Sequence, residues 1–88
     1  MPSSYMPFAS PNVRAVAELR SELRGRRYET ELLGDGVALD LVQWGWQHLG
    51  IDADSCSVDE QRSCVALVAD RVVAQRLIPR ISREHIYG

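Results

Sequence analysis

Lysine is missing from this chain of 88 residues, and all ten basic positions are arginine. That bias fits a GC-rich coding sequence as readily as a chemical need, so by itself it excludes nothing. Also missing is any apolar run approaching the ~20 residues of a membrane-spanning helix, which removes that class. The opening MPSSYMPFASP has neither a basic leader segment nor the apolar core of about 7 to 15 residues that a secretory signal requires, so cytoplasmic residence is the expectation. No internal repeat or low-complexity tract is visible. The formal net charge of −2 gives no overall bias toward nucleic acid or anionic lipid.

The motifs of common chemistries are absent as well. There is no Gly-x-Ser-x-Gly, no paired carboxylate, and Gly34-Asp35-Gly36 is too short for a phosphate loop and lacks the following lysine. Two cysteines and two histidines could supply four zinc ligands. Yet His48, Cys56, Cys64 and His85 lie eight, eight and twenty-one positions apart, not in the close pairs of structural zinc sites. Asp52 and Asp54 resemble the start of a calcium loop, but its sixth and twelfth positions hold Ser57 and Ser63 instead of glycine and glutamate. No metal or other cofactor is expected. Catalysis is not expected either, because a domain this small encloses little pocket by itself.

What is present is helical patterning organised around DGVALDLVQWGWQHLGI, residues 35–51, which holds both tryptophans. Asp35 reads as an N-cap and Gly50 as the left-handed residue past the end. Ala38, Leu41, Val42, Gly45 and Leu49 form one stripe, Val37, Trp44 and His48 widen it, and Leu39 and Trp46 occupy much of the rest. Trp44 and Trp46 point about 200° apart on a helix, so one is core and the other faces a second layer or the surface. A rival remains open: 27–33 and 37–44 partly alternate in polarity about a glycine-rich turn and could form a hairpin.

Two further helices flank the central one. Ser10-Pro11 places a hydroxyl at the N-cap and proline at the first helical position, and Val13, Val16, Ala17, Leu19 and Leu23 follow at helical spacing. Glu22 and Arg26 are placed for an i,i+4 ion pair. Ser57-Val58-Asp59-Glu60 is a capping box that opens a helix with a stripe of Val65, Ala66, Val68, Ala69, Val72 and Val73, stopping before Pro79. Cys64 beside that stripe reads as a small buried hydrophobe.

The expectation is an all-α fold: a three-helix bundle with helices near 11–25, 36–49 and 58–77 and short helical pieces at 28–33 and 81–86. The alternative is α+β with a hairpin at 27–44. Residues 1–10, with Tyr5, Met6 and Phe8 among prolines, read as a flexible arm before a single domain over 11–88. The expected function is binding: a regulator, inhibitor or accessory subunit that docks on a larger protein or on itself as a homodimer. Trp44 and Trp46 are the candidate anchors, and Arg20, Arg24 and Arg27 the polar rim. The competing class is a nucleic-acid-binding regulator that sets Arg76, Arg80 and Arg83 on phosphates.

Overall fold

A computed structural model describes residues 10–81. Three helices, α1 (Pro11–Gly25), α2 (Asp35–Leu49) and α3 (Val58–Ala74), make an all-α bundle, with 3₁₀ turns at Thr30–Leu32 and Ala53–Ser55 in the connections. Of the expected arm over 1–10 and the expected helical piece over 81–86, residues 1–9 and 82–86 fall outside the described residues. The hairpin at 27–44 does not form. Residues 35–44 belong to α2, and the backbone of Tyr28 pairs instead with Arg80, in an isolated antiparallel bridge.

Each start is fixed locally. Ser10 Oγ accepts from the Val13 amide at 3.2 Å, with Pro11 behind it. At α3 the capping box is complete: the Glu60 amide donates to Ser57 Oγ at 3.1 Å and the Ser57 amide to Glu60 Oε1 at 2.8 Å. The start of α2 departs from the sequence reading. Gly34 holds the N-cap position with no side-chain cap, and Asp35 is the first helical residue. Its carboxylate accepts from Arg20 Nη2 at 2.6 Å, so a contact with α1 replaces the local cap.

All three helices end the same way. Just past each helix one residue donates back five, Tyr28 to Leu23 O, Ile51 to Trp46 O and Leu77 to Val72 O, while the residue before it, Arg27, Gly50 or Arg76, donates back three. This double closure places the residue before the last donor at positive φ: 70° at Arg27, 68° at Gly50 and 53° at Arg76. Glycine takes that conformation freely, whereas an L side chain pays about 1–2 kcal/mol for it. The closure at Arg76 also explains why α3 stops at Ala74, three residues before the limit that Pro79 alone suggested.

Side chains set the packing directions. Gln61 on α3 donates to Glu18 on α1 at 2.7 Å, and Arg26 reaches Asp70 at 3.1 Å, so α1 and α3 run side by side in the same sense. Trp46 near the end of α2 bonds Asn12 at the start of α1, and Asp35 bonds Arg20, so α2 runs against both. Ala15, Leu19 and Leu23 meet Ala38, Val42 and Trp46 and the small residues Cys64, Val68, Ala69 and Val72 in one core. Gly45 is buried at the crossing of α2 and α3, where a Cβ would lie 2.7 Å from Cys64 Sγ and 2.8 Å from Val68 Cγ2. Only a residue without a side chain permits that approach. Among the described residues no helix is long and apolar enough to cross a membrane.

Candidate functional site

The tryptophans separate as their 200° offset requires. Trp46 is 5% exposed, and its indole N–H donates to Asn12 Oδ1 at 3.0 Å, which places it among the core residues rather than on a docking face. Trp44 is half-buried at the surface, and the chain itself supplies its neighbours. His48, one turn on, stacks on it at 5.1 Å between centroids, and the Arg71 guanidinium sits 4.3 Å from the ring centre. Helical spacing makes the first contact legible. Arg71, on another helix, carries no sequence signal.

Two of the three proposed rim arginines are engaged internally. Arg20 donates to the Thr30 carbonyl at 2.9 Å as well as to Asp35, and Arg24 reaches Thr30 Oγ1 at 3.4 Å. Thr30 is a buried polar residue, so these arginines hold the Thr30–Leu32 turn against α1. Arg27 does not continue their row, because α1 ends at Gly25 and the chain turns at Arg27. Arg26 pairs with both Glu22, at 2.9 Å, and Asp70, and these hydrogen bonds, Asp70's first, raise its pKa above the usual guanidinium value.

Instead, the fold brings Arg27 to the residues proposed for phosphate contact. Through the Tyr28–Arg80 bridge, Arg27, Arg76 and Arg80 gather at the end of the bundle where α1 and α3 terminate. Arg76 and Arg80 line one open hollow with Tyr28 and Leu77; Arg80 lines a second with Arg26, Arg27 and Ile81. Arg83 lies outside the described residues.

A third hollow is apolar. Val13 and Val16 of α1 face Leu39 of α2, with Asp35 at one edge, and Val13 is 54% exposed. Helical spacing puts Val13 and Val16 on the α1 stripe and Leu39 outside the main α2 stripe, and neither pattern shows that the two helices leave a trough between these residues.

The thiols have different surroundings. Cys64 is fully buried, its Sγ donates to the Val42 carbonyl at 3.6 Å, and loss of solvent pushes its pKa up to about 11, with a smaller contribution from Cys56. Cys56 is half-buried and free. The aspartate pair considered for calcium serves the backbone: Asp52 accepts from the Asp54 amide at 3.1 Å and from Ser55 Oγ at 3.2 Å, closing the Ala53–Ser55 turn.

The fold and these surfaces define a small three-helix bundle. Comparison with protein-family models, with curated proteins and with solved structures finds no match for this chain.

Proposed function

We propose that this domain is a non-catalytic protein-binding module, a regulator, inhibitor or accessory subunit that docks on a larger protein. The observation that supports this reading is the apolar trough of Val13, Val16 and Leu39 between α1 and α2. A concave apolar surface with a charged edge suits an apolar side chain of a partner better than it suits water. Asp35, ion-paired with Arg20, gives that edge an exposed polar group. The anchor therefore moves from the tryptophans to the trough, since Trp46 is core and Trp44 is flanked by Arg71 and His48.

The test is affinity capture from a source-cell lysate with parent protein and Val13→Asp, each with and without nuclease. Val13 lies in the first turn of α1, where a carboxylate is favourable, so the variant keeps its fold while charging the trough. A stoichiometric protein that survives nuclease and is lost with Val13→Asp supports docking there. Material lost only with nuclease points to the nucleic-acid class, and a band indifferent to the substitution refutes the trough. Self-association is the version in which a second copy covers it; sedimentation showing a monomer mass independent of concentration would remove that version.

A further inference from the structure

We propose that the arginine end of the bundle is a second binding site, separate from the trough, that takes a short acidic protein segment carrying an apolar side chain between its carboxylates. Three observations combine. Arg27, Arg76 and Arg80 have no carboxylate partner among the described residues, whereas Arg20 and Arg26 nearby are paired. The three line two hollows that share Arg80 or meet at it, and the exposed side chains of Leu77 and Ile81 stand in those same hollows. Two of the three arginines occupy left-handed cap positions that glycine fills at the end of α2.

Arginine near a helix C-terminus gains from the macrodipole, but that gain is smaller than the cost of the left-handed backbone, and an arginine one residue earlier would have the gain without the cost. Backbone strain kept at two caps on one surface is the pattern of a binding site rather than of a cap optimised for stability. The cap amides do not bind the ligand, since Arg27, Tyr28, Arg76 and Leu77 donate them to helix carbonyls. Recognition falls to the guanidiniums. Arg80 lies against Tyr28, its guanidinium carbon 5.4 Å from the ring centre, and the planar fork of its N–H donors matches a carboxylate.

The surroundings choose between anionic ligands. Glu22 and Asp70 flank the site through Arg26. A nucleic acid, with one charge about every 1.7 Å of duplex, would lay phosphates against those carboxylates. A segment with two or three aspartates or glutamates can address Arg27, Arg76 and Arg80 alone and set a leucine-sized side chain against Leu77 or Ile81.

The experiment uses the full chain and two fluorescein-labelled probes of equal charge, a short peptide of aspartate and glutamate with interspersed leucine, and a single-stranded oligonucleotide. Anisotropy at low and near-physiological salt gives each affinity, and thermal melting is recorded for every variant. The peptide is expected to bind about tenfold tighter than the oligonucleotide, and Arg27→Gly, Arg76→Gly and Arg80→Gln to weaken it about fivefold to tenfold each. The two glycine variants should melt at or a few degrees above the parent. Arg27→Asn and Arg76→Asn, which tolerate the same backbone, should lose affinity equally and so separate charge from mobility. Affinity unchanged in these variants would show the arginines to be caps only. Tighter oligonucleotide binding would make this a nucleic-acid face, and no binding of either probe would remove the site; all three results overturn the proposal.

Discussion

Replacing Gly45 with alanine tests how α2 and α3 meet. Alanine is the better helix former by about 1 kcal/mol, so helix propensity alone says that the variant should be more stable. The packing says otherwise. Its Cβ would stand 2.7 Å from Cys64 Sγ and 2.8 Å from Val68 Cγ2, where non-bonded carbon atoms prefer roughly 3.5–4.0 Å. Both neighbours are fully buried, and Val68, branched at Cβ on a helix, has one favoured rotamer, so neither can swing aside at low cost. Relief requires the helices to separate by about an ångström, within the usual 1–3 kcal/mol range of overpacked cores. With two short contacts the upper half of that range applies, and after the propensity gain Gly45→Ala should lose about 1–2 kcal/mol. In a domain of this size that lowers the melting temperature by roughly 5–15 °C.

Gly36→Ala is the internal control, in the first turn of the same helix with nothing within 4 Å of a new Cβ. It should be neutral or stabilising, so the difference between the two variants isolates the steric cost. Thermal and urea melts followed by circular dichroism measure both. In a Cys64→Ala, Val68→Ala background the same Gly45→Ala change should become neutral or favourable, since the atoms it strikes are gone. A Gly45→Ala protein as stable as Gly36→Ala would refute the close approach of α2 and α3.

Three other outcomes follow from single contacts. Asn12→Ala removes the acceptor of the buried Trp46 indole and should cost about 1–2 kcal/mol, with Asn12→Asp restoring most of it; urea melts read by tryptophan emission test this. Ser57→Ala breaks the α3 capping box and should cost about 1 kcal/mol, and a change within error of zero would show the cap to be redundant. At pH 8 a disulfide reagent should titrate Cys56 in the native protein and Cys64 only after unfolding. Because burial raises the Cys64 pKa from 9.0 to about 11, the folded state holds this proton more tightly. Its contribution is complete below about pH 9 and is lost as pH rises toward 11, a fall of about 2–3 kcal/mol that should be missing from Cys64→Ala.

Much of the fold was legible because its signals are local. A hydroxyl before proline, a serine three residues ahead of a glutamate and a glycine after QHL fix helix ends within a few residues of chain, and the apolar stripes fix which faces turn inward. The Glu22–Arg26 pair and the shared face of Trp44 and His48 were visible for the same reason, since residues one turn apart are neighbours wherever a helix forms. Ambiguity arose where local signals conflicted. Residues 27–29 do pair in one short bridge, but with the segment after α3, and pairing across some fifty residues leaves no trace in either stretch.

The candidate sites were less legible, because a site depends on what other elements bring. Sequence could show that Trp44 and Trp46 diverge; only packing against α1 decided that Trp46 is core, through Asn12, and that Arg71 lies beside Trp44. It could show two arginine sets, but not that Arg20 and Arg24 are occupied by Thr30 and Asp35 while Arg27 crosses to join Arg76 and Arg80. By itself the sequence determined three helices, the N-caps of α1 and α3, the glycine end of α2 and most of the inward-facing residues, since those follow from propensities and hydrogen bonds within one or two turns. The tertiary structure decided how closely α2 and α3 approach at Gly45, which charges are neutralised and which stand free, because those depend on atoms far apart in the chain that only packing brings within reach.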